Sequence, residues 1–204
     1  MFSISVIIET PRQTAGKYVF DPANQIYKLK KVLPLGMHFP YDFGLIENTH
    51  AQDGDPADAI VFTECITYPG VRLICGLIGA LQVKQTQSGI SVRNDRYFVI
   101  PEDSIMFEHI KEIKDFSRVH NQQLRDFFIN YTKAENKKLS DLKFINAENA
   151  KKRLQKINTI NLQIPVSCKL FVVPDGKIIA PLLLNNFYDK AGWLQYFTVA
   201  GKCR

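Results

Sequence analysis

The sequence predicts an α+β fold: a β-barrel or strongly curved sheet with helices packed outside it. Three observations lead there. Strand-like segments fill the first half of the chain, two segments of helical period follow, and an apolar, strand-like stretch comes last.

The elements can be justified in order. "FSISVIIET" is rich in β-branched residues and reads as a strand. "QIYKLKKVL" alternates apolar and polar residues over its first half, which suits a second strand. "ADAIVFTE" and "VRLICGLIGALQV" are further strands, joined through the turn signal at Tyr68, Pro69 and Gly70. "SGISVRNDRYFVIP" reads as a hairpin return with its turn at Gly89. The period then changes. Leu124, Phe127, Phe128 and Tyr131 recur at i, i+3, i+4 and i+7, the apolar stripe of a helix. A second helix is expected after Asn146 as N-cap, with Ala147, Ala150, Leu154 and Ile157 on one face. From 164 to 204 the chain is apolar and strand-like, with a turn at Pro174 to Lys177. The domain reading is therefore 1–163 as the barrel domain and 164–204 as a β-rich extension, packed on it or at an oligomer interface.

Composition narrows the function classes. The chain has 204 residues, 46% hydrophobic and 23% charged, as expected of a globular domain rather than a disordered segment. No apolar run approaches the ~20 residues of a membrane helix. The start has neither a basic n-region nor a small-residue cleavage site, so no signal peptide is read there. Cys65, Cys75, Cys168 and Cys203 form no C-x-x-C pair and are read as free thiols in a reducing cytoplasm. The net charge of +6 suits a nucleic acid, a small polyanion or simply a solvated surface. Charged stretches such as "NKKLSDLK" and "NAKKRLQK" read as solvated helix faces.

"DGDPAD", Asp53 to Asp58, is the densest chemical signal. Gly54 permits a tight backbone and Pro56 fixes φ. Asp53 and Asp55 share one face of an extended segment, and a bend at Pro56 returns Asp58 to that side. Carboxylates so crowded repel one another, and a hard divalent cation such as Mg²⁺ or Mn²⁺ relieves the repulsion. The other reading is an acidic surface turn, because Asp, Gly and Pro are common turn residues. A calcium loop is excluded, since the residues up to Glu64 read as a strand.

With its surroundings, this stretch resembles the signature of the family I (soluble) inorganic pyrophosphatases, an Asp-x-Asp-Pro-x-Asp turn leading into an apolar strand. Upstream, "GKYVFDPANQIYKLKKVLPLGMHFPYDFGLIENT" is similar to the family's Lys-Tyr-Glu segment, its basic residue before a Met, and its Tyr-Pro-x-x-Tyr-Gly stretch. "VIIETP" looks like the opening strand, and "FFINYTKAE" and "NAENAKKRL" look like the two helices. The resemblance covers residues from 1 to about 160. It implies an OB-like five-stranded barrel with two flanking helices, and hydrolysis of pyrophosphate with Mg²⁺, for which Mn²⁺ is a possible substitute. It makes Asp53 and Asp58 metal ligands and Asp55, also in that metal group, the base for the attacking water. It assigns Lys17, Lys31, Arg96 and Tyr131 to phosphate, Asp95 to the metal group by a one-residue slip, and Glu9 to the edge of the cavity. A cytoplasmic homo-oligomer without membrane or nucleic-acid partners is expected.

Several positions depart from the family pattern. Val19 stands where a carboxylate is usual, Lys31 for an Arg, Phe39 and Phe43 for two tyrosines, and Thr132 for a Lys. Gln85, Thr86 and Asn94 stand where the second acidic group is expected. These departures keep an alternative open: a catalytically impaired relative that binds phosphate, nucleotides or a partner. An OB-like nucleic-acid binder is a third reading, disfavoured because no dense basic-aromatic strand patch is present.

Overall fold

The computed structural model describes residues 1–21, 23–162, 171–172 and 178–179. In chain order its main elements are β1 (Phe2–Thr10), β2 (Gly16–Asp21), β3 (Ile26–Val32), β4 (Asp42–Ile46), β5 (Asp58–Val61), β6 (Arg72–Gln87), β7 (Ile90–Arg93), β8 (Arg96–Pro101), α1 (Arg118–Lys133), β9 (Lys138–Asn146) and α2 (Ala147–Leu162). Five strands close on themselves in the order β1, β4, β5, β8 and β6, with β6 pairing back onto β1. Closure leaves the ring without an edge. All its pairings are antiparallel except β5 with β8, so the barrel is mixed. The expected five-stranded barrel is thus observed. The second half of β6 runs past the ring, where β7 and β9 pair with it, and β2 and β3 form a separate hairpin.

Alternation explains how the core divides. Within β1 the buried apolar residues are Ile4, Val6 and Ile8, so their side is the barrel interior. Ala59, Val61, Leu77, Tyr97 and Val99 join them there, and Ala150 and Leu154 of α2 pack against the same cluster. The opposite faces of β5 and β8 present Ile60 and Phe98, which pack with Leu124, Phe128 and Tyr131 of α1. β5 and β8 are therefore apolar on both faces, which accounts for the runs "AIVF" and "YFVI". Both helices begin at a side-chain cap, and that of α2 is the expected Asn146. The Ser117 side chain accepts from the His120 N–H at 3.1 Å, and that of Asn146 from the Asn149 N–H at 3.0 Å. Ser88 and Gly89 both have positive φ, as the two-residue turn from β6 to β7 requires.

One reading is corrected. From Lys138 on, "NKKLSDLK" belongs to β9, not to a helix face. β9 pairs antiparallel with Gly79 to Thr86 of β6, and the backbone bonds of that ladder outweigh a local pattern that suits a helix equally well. Phe171–Val172 pairs with Ile178–Ile179 in an antiparallel arrangement. The remainder of the 164–204 extension, with its turn at Pro174 to Lys177 and its role at an interface, lies outside the described residues. No described helix is long and apolar enough to cross a membrane.

Gly44 shows how tightly the ring closes. It pairs with Ile8, and a Cβ at this position would lie 2.4 Å from the Ile7 carbonyl oxygen and 2.9 Å from Val6 Cγ1. The first of these neighbours is backbone and cannot swing away. Gly44→Ala is expected to lower unfolding stability by about 1–3 kcal/mol, the usual scale of overpacking. Chemical denaturation of the two proteins checks this.

Candidate active site

The acidic turn is built by its own backbone. The Ala51 N–H donates to the Asp55 carbonyl at 2.8 Å, and the Gly54 N–H donates back to the Ala51 carbonyl at 3.0 Å. Gly54 has φ +90, a conformation that side chains disfavour. The Asp55 N–H lies 3.3 Å from Asp53 Oδ1, an Asx-type contact within the turn. Thr49 anchors the exit: its hydroxyl donates to the Ile46 carbonyl at 2.7 Å and accepts from the Ala57 N–H at 2.8 Å. The chain then enters β5 at Asp58.

Asp53, Asp55 and Asp58 line one cleft of about 470 Å³. Burial raises the pKa of Asp53, and repulsion from Asp58 and Asp55 adds to that effect. Asp58 opens β5 and stands in parallel register beside Arg96, which opens β8. Their side chains meet, with Arg96 Nη1 2.5 Å from Asp58 Oδ2. Arg96 is also held by the Asn94 carbonyl at 2.9 Å and by the Asn94 side-chain oxygen.

The basic side comes from the β2–β3 hairpin and the end of α1. Lys17 pairs with Lys31 across the hairpin, and a register shift there leaves Lys30 as an extra residue. Lys17 and Lys30 both line the cleft. Burial works against the Lys17 ammonium, but Tyr131 and Asp58 outweigh it and hold its pKa above the ordinary value. Lys31 sits 4.2 Å from the centre of the Tyr131 ring and is ion-paired to Glu135. Burial, together with Lys17, Lys137 and Lys30, nevertheless lowers its pKa to about 8. Tyr131 lines the cleft from α1. Phe127 stacks on it at 5.7 Å between ring centres, and Phe39 meets it edge-on at 5.7 Å. Phe39 and Phe43, noted above as lacking hydroxyls, thus serve as packing around Tyr131.

Three assigned residues are placed differently. Lys31 does not line the cleft and is ion-paired to Glu135. Asp95 does not enter the cleft. In extended chain Asn94 and Arg96 point one way and Asp95 the other. Asp95 is buried, accepts from the Val83 N–H at 3.0 Å and faces Arg93 and Arg153 at 3.5 and 3.3 Å. Its expected role as a metal ligand is corrected to that of a structural anchor, because no bulge supplies the required slip. Glu9 is the unpaired extra residue where β1 shifts register against β4, and it accepts from the Phe20 N–H at 3.3 Å. Burial, with Asp58 next in effect, raises its pKa, but it does not line the cleft.

Lining residues that the sequence did not announce include Lys30, Gln87, Glu135 and Lys137. Glu135 joins Lys31 to Lys137, the latter at 3.0 Å. Glu135 lies in the turn just past α1, and no local pattern in the sequence announces it.

The donor chemistry suits one hard cation, since Asp53, Asp55 and Asp58 supply carboxylate oxygens on one wall. It does not suit a second group, because Gln85 and Asn94 offer neutral amides. Among the described residues, no three His, Cys, Asp or Glu side chains converge as a ready-made metal cluster.

Known proteins show the same architecture. A solved inorganic pyrophosphatase from Thermus thermophilus superposes with a TM-score of 0.70 at 25% identity, covering 78% of this chain and 90% of that one. The Helicobacter pylori enzyme gives a TM-score of 0.70 at 29% identity, over 78% and 94%. In sequence, the inorganic pyrophosphatase of Synechocystis is 31% identical over 134 residues, 66% of this chain and 77% of the relative. That of Thermus thermophilus is 33% identical over 135 residues, 66% and 75%. The profile of the inorganic pyrophosphatase family matches residues 6–161, and the chain belongs to that family.

Proposed function

We infer that the chain hydrolyses inorganic pyrophosphate to two phosphates in this cleft. The observation that carries the reading is the meeting of a carboxylate turn with a lysine- and arginine-bearing wall in one cavity. Lys17, Lys30 and Arg96 line it at positions suited to the phosphate oxygens, with Lys31 held behind Tyr131. Ammonium and guanidinium groups neutralise the charge that builds on the departing phosphate. Asp55 is exposed on the cleft wall and takes the proton from the attacking water. The water oxygen then bonds to one phosphorus as the bridging P–O bond breaks, and the leaving phosphate carries away the bridging oxygen.

The family is metal-dependent, and here Asp53 and Asp55, with Asp58 beside them, are the residues to hold Mg²⁺ or Mn²⁺. When bound, such a cation screens phosphate charge and makes a nearby water more acidic. The reading also places the protein in the cytoplasm as a homo-oligomer.

The competing reading, a phosphate binder without turnover, draws on the Asp58–Arg96 ion pair and on the amides at Gln85 and Asn94. Phosphate release separates the two. With Mg²⁺ and pyrophosphate the wild type is expected to turn over, and Asp55→Asn to lose about 10²- to 10⁴-fold in kcat, the contribution of a positioned base. Equal turnover in the two proteins would remove Asp55 from the mechanism, and none in the wild type would favour the binder.

Lys31 gives a pH signature. Because its pKa is lowered to about 8, its charge is present below that pH and lost above it. KM for pyrophosphate is expected to rise as pH passes upward through about 8. Lys31→Arg keeps its charge throughout, so its KM should stay flat between pH 7 and about 9.5. Steady-state assays across that range check this.

A further inference from the structure

We propose that the back of the cleft wall carries a second anion site, in which Arg93 and Arg153 take up a phosphate-type tetrahedral oxyanion. The site lies outside the cleft, and the proposal goes beyond the hydrolase reading without resting on it.

Strand alternation separates the two places. Asn94 and Arg96 line the cleft, so Arg93 and Asp95 stand on the other side of the same stretch. α2 packs on that side and brings Arg153 to it. Gln82 of β6 is there too. With its carboxamide oriented to suit them, it accepts from Arg153 Nη2 and Nε. The side chains of Arg93 and Arg153 are 28% and 34% exposed, partly covered and still within reach of solvent.

Charge is unbalanced at this place. One carboxylate, Asp95, faces two guanidiniums, 3.5 Å from Arg93 Nη1 and 3.3 Å from Arg153 Nη1. Both contacts are longer than the about 2.7–2.9 Å of a well-made charge-assisted bond. Asp95 Oδ1 also accepts from the Val83 N–H, which ties the carboxylate to β6 and keeps it from closing on either arginine. Among the described residues the Arg93 guanidinium has no hydrogen-bond acceptor and no ionic partner but Asp95. Its cross-strand neighbour is Lys84, and like charges directly opposite repel. Lys84 turns to Asp141 at 2.8 Å, so Arg93 is left without a carboxylate of its own.

The second, independent observation is Tyr97. It follows Asp95 by two residues on the same side of β8 and is buried, and its hydroxyl has no hydrogen-bond partner among the described residues. Burial, and after it the Asp95 carboxylate, raises its pKa, whereas Arg153 and Arg93 lower it, so the hydroxyl stands beside these same charges. Buried hydroxyls without an acceptor are rare in folded proteins, and the anion supplies one here. Two guanidinium forks and a hydroxyl together ask for more acceptor oxygens than a carboxylate has, and a phosphate group has enough. Arginine forks also match phosphate in the bidentate manner. The exposed Lys143, opposite Gln82 in the register of β9 on β6, adds to the field that draws an anion in.

The test titrates inorganic phosphate into the full chain by isothermal calorimetry at physiological salt, with the cleft filled by one equivalent of Mg²⁺ and imidodiphosphate, a hydrolysis-resistant analogue. The wild type is expected to bind one further phosphate with a Kd of about 1 mM or tighter. Arg153→Gln leaves Asp95 paired to Arg93 and should weaken that binding about tenfold or more, the loss of a charge-assisted contact. Tyr97→Phe keeps the ring in the core and should weaken it severalfold, which a purely structural role for the cluster would not do. No binding below about 10 mM phosphate would overturn the proposal, as would equal affinity in the wild type and a folded Arg153→Gln. If Arg153→Gln does not fold, equal affinity in the wild type and Tyr97→Phe overturns it instead. Glycerol 3-phosphate in the same titration separates the sources: tighter binding than inorganic phosphate assigns the site to the phosphate group of a larger molecule, and weaker binding assigns it to free phosphate. Failure of the analogue to bind would count against the hydrolase reading alone, because the variants can be compared without it.

Discussion

The site depends on one adjacency: the start of β5 lies parallel to the start of β8, which sets Asp58 beside Arg96. Parallel neighbours in this ring are otherwise apolar, and Ala59, Ile60, Tyr97 and Phe98 leave no freedom to slide. A slip of one residue would draw a charged end into the sheet and exchange Ala59 and Ile60 between the two core layers, which differ in the volume they accept. The hydrophobic register of two short strands therefore fixes the distance between a carboxylate and a guanidinium at the mouth of the barrel. That guanidinium offsets part of the crowding in the Asp53 to Asp58 turn, although burial and the neighbouring carboxylates still raise the pKa of Asp53.

The same alternation disposes of Asp95. It follows Asn94 and precedes Arg96, so it must face away if they face in. On its own side it ties β6 to β8 through the Val83 N–H and draws Arg93 and Arg153 to the sheet. The chain has thus used one carboxylate as scaffold and left amides at Gln85 and Asn94 on the cleft wall. The aromatic layer underneath shows a similar exchange. Phe39 and Phe43 give up hydroxyls but pack around Tyr131, which holds its ring under Lys31 and Lys17.

The barrel strands were largely legible because burial imposes period two on β1 and unbroken apolar runs on β5 and β8. The helices were legible from Leu124, Phe128 and Tyr131 and from Ala150 and Leu154, all of which are buried. β9 was not. It is mostly exposed, and Leu139 and Leu142 are three apart, a spacing that suits a helix as well as an irregular strand. Its identity is decided by pairing with β6, which is tertiary information. The cleft divides the same way. Asp53, Asp55, Asp58, Lys17 and Tyr131 sit in recognisable local patterns and do line it. Lys30, Glu135 and Lys137 reach it only because a hairpin with a register shift lies against the end of α1, and no short stretch of chain encodes that.

The basic surplus must then lie elsewhere, because a neutral cleft cannot account for a chain charge of +6. Much of it is on solvent-facing positions such as Lys133, Lys138, Lys143, Lys152 and Lys156 of α1, β9 and α2. Exposed charges at this distance are screened within about 8 Å at physiological salt and grip little. They still give the molecule a positive field that speeds the arrival of a small polyanion. The two populations of charge therefore act differently. The surface lysines affect how fast pyrophosphate arrives and should lose influence as salt rises. Arg96, buried against Asp58, is screened less than these surface charges.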